Sequence, residues 1–111
     1  MVFNFVDQGG GFYSIHNLNG ANSLCLTIAN ASRSPGDGKK VGGPGNLIQA
    51  NCSDRSLPGN ELFEVVTMGR EHAQIRVKSS GLCLEDPGRG GTIRQNRCNP
   101  SIPNQEFILT E

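Results

Sequence analysis

The segment Gly81-Leu82-Cys83-Leu84-Glu85 decides how this chain is organised, because it resembles Ser23-Leu24-Cys25-Leu26-Thr27, which lies 58 positions earlier. A stretch of alternating apolar and polar residues precedes each copy, FYSIH at 12–16 and AQIRV at 73–77. Alternation of this kind is typical of a strand with one buried face. Two copies of one ordered unit indicate an internal structural repeat.

The segments that follow the two copies also correspond. A glycine-rich loop leads to a short strand that ends in Cys52 in the first copy and in Cys98 in the second. A further strand then closes each unit, NELFEV at 60–65 and NQEFIL at 104–109. The first loop, residues 31–46, is longer and contains five Gly and two Pro. We expect this loop to lie on the surface and to carry no core residues.

The first residues of the chain look like the end of a preceding unit. Phe63 lies twelve positions before Ile75, and Phe3 lies twelve positions before Ile15, with a turn in each interval. We therefore predict an orphan closing strand near the N-terminus; the alternative is a strand that pairs locally in a hairpin. The predicted division of a single domain, residues 1–111, is an orphan strand and turn at 1–11, repeat one at 12–67 and repeat two at 68–111.

The composition favours an all-β domain and argues against several kinds of partner. Fifteen Gly and six Pro suit turns rather than helix interiors, and only 35% of the residues are hydrophobic, with no Trp. Lys plus Arg and Asp plus Glu both number 10, so the formal net charge is zero. This balance gives no reason to expect nucleic acid or an anionic membrane as a partner. No apolar run reaches the roughly 18 residues of a membrane span.

The four cysteines favour disulfide bonds over a metal site. None belongs to a C-x-x-C pair, and neither His16 nor His72 stands at zinc-finger spacing from one, so we expect no metal and no cofactor. An even number of cysteines in a short chain indicates disulfides and an oxidising, extracellular compartment; four buried reduced thiols are the alternative. His16 follows the expected core residue Ile15 in an alternating strand, and we expect its side chain to face outward.

The repeat resembles the ricin B-type (R-type) lectin repeat, the unit of the R-type β-trefoil. The second copy carries the likeness in GLCLE at 81–85, in Cys98 and in N-Q-x-F at 104–107. The first copy shows the same order in a weaker form, with S-L-C-L-T at 23–27 and N-E-x-F at 60–63. The resemblance covers nearly the whole chain.

This resemblance implies a fold and a disulfide pattern. The fold is an all-β, β-trefoil-like domain with two full repeats and one closing strand of a third. Because a complete trefoil has three repeats, we expect the domain to be completed by self-association, by a partner chain or by another domain. Phe63 and Phe107 match the buried aromatic of the closing strand. The family's cysteines join within a repeat, which implies the bonds Cys25–Cys52 and Cys83–Cys98.

The resemblance also implies where a sugar would bind. The family places a carboxylate two residues after the first cysteine, an aromatic ring before the second, and Asn-Gln in the closing motif. Glu85 takes the carboxylate position, but Asn96 stands about where the ring should be, and Arg94 could replace the ring's contacts. Asp86 could substitute for Glu85. The candidate sugar-binding residues are Glu85, Asp86, Arg94, Asn96, Asn104 and Gln105.

The corresponding positions of the first copy fit a sugar less well. Thr27 replaces the carboxylate and Glu61 replaces the Gln, so we expect this copy to be structural only. Nothing in the chain forms a catalytic constellation. The neighbouring Glu85 and Asp86 point to opposite faces of a strand and cannot easily share one bond as acid and base. We therefore expect no enzymatic activity.

Two functions remain as hypotheses. The first is a carbohydrate-binding, lectin-like module of a secreted protein, with weak affinity for galactose-type or acidic glycans or for glycoproteins. The second is a trefoil scaffold that has lost sugar binding and acts as a protein-binding toxin subunit or protease inhibitor, with the loop 31–46 as its contact element.

Overall fold

A computed structural model describes residues 3–17, 24–39, 42–52, 58–69, 72–88 and 91–108. These residues form short strands and three one-turn 3-10 helices, without an α-helix. No helix among them is long and apolar enough to cross a membrane. The strands are β1 (Phe3–Gly9), β2 (Phe12–Asn17), β3 (Leu24–Ile28), β4 (Leu47–Asn51), β5 (Phe63–Thr67), β6 (His72–Val77), β7 (Cys83–Glu85), β8 (Arg94–Asn96) and β9 (Phe107–Ile108). The 3-10 helices are Ala29–Ala31, Gly59–Glu61 and Pro103–Gln105.

The strand pairing repeats along the chain, as the sequence predicts. β2 pairs antiparallel with β1, β3 and β5, and β6 pairs in the same way with β5, β7 and β9. The hairpins β3–β4 and β7–β8 extend from β2 and β6. Each hairpin therefore branches from the same position of its unit, which is the arrangement expected of two copies of one motif.

The two closing segments begin differently from the prediction. Both start with a 3-10 turn, Gly59–Glu61 or Pro103–Gln105, and the strand follows at Phe63 or Phe107. Side chains in a 3-10 turn do not alternate between the two faces of a sheet as those of a strand do. Gln105 can therefore reach into the second unit, where it is fully buried.

A small apolar core lies between the strands. Phe63 is completely buried, as predicted for the closing aromatic, whereas Phe107 is only half-buried and packs against the edge of the core. The core side chains come from strands of both units, which joins the units into one cluster. The buried members are Ile15, Ile28, Phe63, Ile75, Val77 and Leu84.

Both disulfides form within a repeat. Cys25 is bonded to Cys52 across 27 positions, and Cys83 is bonded to Cys98 across 15. In the chain-entropy model, closing loops of these sizes stabilises the fold by about 3.5 and 3 kcal/mol respectively. Stabilisation on this scale matters for a domain whose core contains so few large apolar side chains.

The described residues of loop 31–46 include no apolar core residue, as expected, but the loop is not only surface material. The fully buried Gln95 of β8 donates from Nε2 to the carbonyls of Ser32 and Ser34, at 2.8 and 2.9 Å. The backbone amide of Gln95 also donates to Gly45 at 2.9 Å. A Cβ on Gly45 would lie 2.7 Å from the backbone of Gly36. The glycines of the loop thus let two backbone segments pack closely against the second unit.

One side of the core is open. An apolar cavity of about 820 Å³ is lined by side chains of both units. Its lining includes Phe5 of β1 and Phe107 and Ile108 of β9, and Ile108 is 66% exposed. Among the described strands, β1 pairs only with β2 and β9 only with β6. Each of these two strands therefore has one edge without a partner among the described strands, and each contributes side chains to the cavity lining.

Candidate functional site

The β7–β8 hairpin brings the central site residues onto one face. Glu85 pairs directly with Arg94, and Cys83 pairs with Asn96. Residues opposite each other in an antiparallel pair share a face of the sheet, and diagonal neighbours remain within reach of long side chains. Glu85 consequently meets Arg94 across the hairpin and Asn96 on the diagonal.

Glu85 is saturated by partners from the protein itself. Its Oε2 accepts hydrogen bonds from Arg94 Nε at 2.7 Å and from Asn96 Nδ2 at 3.1 Å. Arg94 Nη2 lies 2.5 Å from the same oxygen. The other oxygen, Oε1, accepts from Gln105 Nε2 at 3.1 Å. The Glu85 side chain is only 3% exposed, whereas that of Arg94 is 25% exposed.

These partners keep the buried carboxylate charged. Burial by itself raises the pKa of Glu85 because it disfavours the ionised form. Hydrogen bonds from Arg94, Asn96 and Gln105, together with the Arg94 charge, outweigh burial and bring the pKa below its usual value of 4.5. Glu85 is therefore a fixed anion at neutral pH, and Arg94 covers it on the solvent side.

Gln105 connects the closing segment to this site. Its Nε2 donates to Arg97 O at 2.8 Å as well as to Glu85, and its Oε1 accepts from the Asn99 amide at 2.8 Å. The side chain has no exposed surface. Gln105 thus fixes the position of the Glu85 carboxylate and of the segment that follows β8.

Asp86 and Asn104 lie at the rim of the site. Both residues are exposed, and they meet through their backbones, since the Asp86 amide donates to Asn104 O at 2.9 Å. Asp86 Oδ1 accepts from the Gly88 amide at 2.9 Å in a local turn. The structure therefore brings Glu85, Arg94, Asn96 and Gln105 into contact and leaves Asp86 and Asn104 around them. Arg94 also donates from Nη1 to Asp37 O at 3.0 Å, which joins the first loop to the site.

The equivalent position of the first unit has a different arrangement. Thr27 Oγ1 accepts from Asn60 Nδ2 at 2.9 Å and donates to Asn60 O at 3.2 Å. The same amide group donates to Ile28 O at 3.1 Å. Thr27 and Asn60 thus satisfy each other between two segments of the backbone.

His16 forms a second polar cluster, and the expectation that it faces outward is wrong. The residue is half-buried, and its Nδ1 lies 3.4 Å from both Cys25 Sγ and Cys52 Sγ. The register explains this position, because His16 pairs directly with Cys25 across β2 and β3. The face that alternation assigns to solvent is covered by the disulfide. The sequence carries no signal for this contact, because the contact depends on the pairing register of β2 and β3, which the spacing of the residues does not reveal.

Comparison with solved structures identifies the fold. The chain resembles the designed 3-fold symmetric protein ThreeFoil, with a TM-score of 0.79 and 23% identity over 98% of this chain and 71% of that one. It also resembles 1,3Gal43A, an exo-β-1,3-galactanase from Clostridium thermocellum, with a TM-score of 0.75 and 22% identity over 97% of this chain.

The match covers 22% of the galactanase chain, so this chain spans about a fifth of that enzyme. No family model and no curated protein sequence matches the chain. At these identities the likeness concerns the fold alone. With the repeated strand pattern, it confirms the prediction of an all-β, β-trefoil-like fold.

Proposed function

We propose that this chain is a non-catalytic carbohydrate-binding module of a secreted protein, and that it binds glycans at the second repeat. The observation that carries the proposal is the polar cluster around Glu85, in which a buried anion, a partly exposed guanidinium and an amide converge at the end of one hairpin. A small number of fixed polar groups that remain partly exposed can orient the hydroxyl groups of a ligand.

The burial of each residue indicates its role in the proposed site. Glu85 and Gln105 are buried and hold the others in place, so direct contacts to a sugar fall on Arg94, Asn96 and the rim residues. Arg94 uses Nε and Nη2 for Glu85 and Nη1 for Asp37, and its exposed edge favours hydroxyls or acidic groups of a glycan. The sequence between Glu85 and Cys98 contains no aromatic ring, which limits affinity to the millimolar range because stacking is lost.

The ionisation of Glu85 supports a binding role over catalysis. A general acid at neutral pH needs a raised pKa, whereas the pKa of Glu85 is lowered and its charge is neutralised by Arg94. The likeness in fold to part of a galactanase supports galactose-type glycans as ligands. The two disulfides support an oxidising compartment and hence secretion.

The test is an NMR titration of isotope-labelled chain with galactose, N-acetylgalactosamine and a sialylated oligosaccharide at tens of millimolar. We expect shifts confined to residues around Arg94 and Asn96. Asn96→Ala should weaken the response, and Asn104→Ala should weaken it less because that side chain lies at the rim. Asn4→Ala is the matched control, since Asn4 is an exposed strand residue away from the site.

Three results would contradict the proposal. Shifts centred on Thr27 and Asn60 would place the site in the first repeat. An equal response of the Asn4 and Asn96 variants would show that the shifts report no specific site. A folded chain without any shift would favour the alternative function, a scaffold that binds protein.

We also propose that the open face between β1 and β9 is covered by a third trefoil repeat. The two unpaired edges flank a gap where a strand equivalent to β2 and β6 would fit, and the exposed Ile108 and half-buried Phe5 line it. Alternating apolar residues, as at Ile15 and Ile75, would fill the cavity from such a strand.

In the absence of that repeat, unpaired edges and apolar surface favour self-association. We expect sedimentation equilibrium of the isolated chain to give a mass that rises with concentration. A monomer at every concentration, with a cooperative and concentration-independent melt, would contradict this second proposal and leave the glycan site untouched.

A further inference from the structure

The disulfide of the first repeat lies against a histidine that is itself held in place. His16 Nδ1 is 3.4 Å from both sulfurs, and His16 Nε2 is 2.7 Å from Ser14 Oγ. Ser14 is fully buried and accepts a further hydrogen bond from Gln8 Nε2 at 2.9 Å. The potential metal-binding atoms of His16, Cys25 and Cys52 all lie within 4.8 Å of one another.

We propose that His16, Cys25 and Cys52 bind a thiophilic divalent cation of the Zn²⁺ type when a low-molecular-weight thiol has reduced the disulfide. This site is separate from the glycan site in the second repeat, and it does not rest on the function proposed above. Two thiolates and one imidazole are ligands that Zn²⁺ prefers, and three protein ligands leave a fourth position for water.

The distances fit a tetrahedral site. With Zn–S bonds of about 2.3 Å and Zn–N bonds of about 2.0 Å, the nitrogen and each sulfur of a tetrahedral centre are about 3.5 Å apart. The His16 nitrogen already stands 3.4 Å from each sulfur. Two movements are needed. The sulfurs have to separate to about 3.8 Å once the bond between them is broken, and the imidazole has to turn, because Cys25 Sγ also lies 3.9 Å from Nε2 and so stands over the ring rather than along the Nδ1 lone pair. Rotation of the cysteine and histidine side chains supplies both.

The contacts behind His16 favour the tautomer that can bind a cation. When Nε2 carries the ring proton and donates it to Ser14 Oγ, Nδ1 keeps a lone pair for the cation. The bond from Gln8 to Ser14 in turn fixes the hydroxyl. A histidine ligand whose second nitrogen is hydrogen-bonded in this way is the usual arrangement in metal sites.

The reduction is balanced by two thiols. The thiolate R–S⁻ attacks the half-buried Cys52 sulfur, the S–S bond breaks, and fully buried Cys25 leaves with the electron pair. A second thiolate then attacks the mixed disulfide, which releases the Cys52 thiolate and R–S–S–R. The two cysteines gain two electrons and the two thiols lose them. Binding of the cation to the two thiolates displaces any protons that the cysteines have taken up.

The second repeat provides an internal comparison. Cys83 is fully buried and Cys98 half-buried, as for Cys25 and Cys52, and both bonds lie within a repeat. The cluster at His16 is the one group of three or more histidine, cysteine and acidic side chains within metal-binding distance in the described part of the chain. Near Cys98 the contact is instead the carbonyl of Gly81, at 3.6 Å.

The test uses Co²⁺ as a spectroscopic substitute for Zn²⁺. The chain is reduced with excess thiol, freed of the thiol under anaerobic conditions and titrated with Co²⁺, and thiolate-to-cobalt charge-transfer absorption is recorded. We expect one Co²⁺ per chain, displaced by Zn²⁺. His16→Ala should weaken binding at least about tenfold, on the scale known for altered metal sites. Cys83→Ser/Cys98→Ser should retain binding, and Cys25→Ser/Cys52→Ser should abolish it.

Circular dichroism of each reduced variant, with and without the cation, completes the test. Equal affinity in the His16→Ala variant would overturn the proposal, as would binding that depends on Cys83 and Cys98. A folded reduced chain that binds no Co²⁺ would overturn it as well. A reduced chain that unfolds and is not restored by Zn²⁺ counts equally against it, because the site exists only in the folded chain.

Discussion

Replacing Arg94 with alanine should destabilise the chain far more than the loss of a surface ion pair. Arg94 donates two bonds to Oε2 of Glu85, and the carboxylate is almost completely buried. Removing one partner of a buried pair costs about 3–5 kcal/mol, because the other charge is left without compensation. Arg94 is one-quarter exposed, and Asn96 and Gln105 still donate to the carboxylate. We therefore expect the lower end of the range, about 3 kcal/mol at pH 7.

The pH dependence of this loss distinguishes an electrostatic cause from a packing defect. In the wild type the folded pKa of Glu85 is lowered, so its contribution to stability is present above about pH 4.5 and is lost as the pH falls through the folded pKa. In Arg94→Ala, burial, which raises the pKa, is opposed only by the hydrogen bonds from Asn96 and Gln105, so we expect the pKa of Glu85 in the folded variant to lie above that in the folded wild type. The difference in stability between wild type and variant should accordingly shrink on acidification from pH 7 to below pH 4.5.

The assay is urea denaturation with both disulfides intact, followed by circular dichroism, at several pH values. Arg76→Ala is the matched control, because Arg76 and its partner Glu64 are each 43% exposed and 3.5 Å apart. That pair should contribute at most about 1 kcal/mol. A loss below 1 kcal/mol for Arg94→Ala, or a loss of the same size at every pH, would refute the electrostatic account of Glu85.

Two further predictions concern the packed loop. Gly45→Ala should lower the free energy of unfolding in urea by about 3 kcal/mol or more, because a Cβ would meet backbone atoms at 2.7 Å and φ is +81°. Gly69→Ala is the control, since Gly69 has open space around it at φ +105°, and it should cost only about 1 kcal/mol. Equal losses in the two variants would show that close packing is not the reason. Gln95→Leu should destabilise by about 2–4 kcal/mol, since it removes the Gln95 hydrogen bonds to two loop carbonyls and to the half-buried hydroxyl of Ser80. Amide hydrogen exchange in residues 31–39 should accelerate in that variant, and unchanged exchange would show that the side chain does not hold the loop.

Much of the fold could be predicted because its signals are local. Alternation at Ile75 and Val77 marks strand β6, and the similar segments around Cys25 and Cys83 mark the two repeats. The disulfide partners followed from the resemblance to a known repeat, and the structure has the same pairs. The 3-10 turns before β5 and β9 escaped prediction because a three-residue turn leaves no periodic pattern.

The candidate site could be predicted only in part. Glu85 and Gln105 were identified as site residues, and the structure brings them into contact. Their burial was not foreseeable, because it depends on Arg94 closing over the carboxylate from the facing strand. The contribution of Asp37, 57 positions from Arg94, had no sequence signal at all.

The sequence by itself determined the all-β class, the presence of two copies of one repeat and a balance of charge that gives no attraction to nucleic acid. These properties are set by residue type and by spacing along the chain, which a sequence contains directly. Only the tertiary structure decided that the glycine-rich loop packs on Gln95, that Glu85 is a paired and buried anion, and that His16 lies on a disulfide. The physical reason is that hydrogen bonding and desolvation act between groups that are neighbours in space, and here those neighbours are separated by up to 63 positions in the chain.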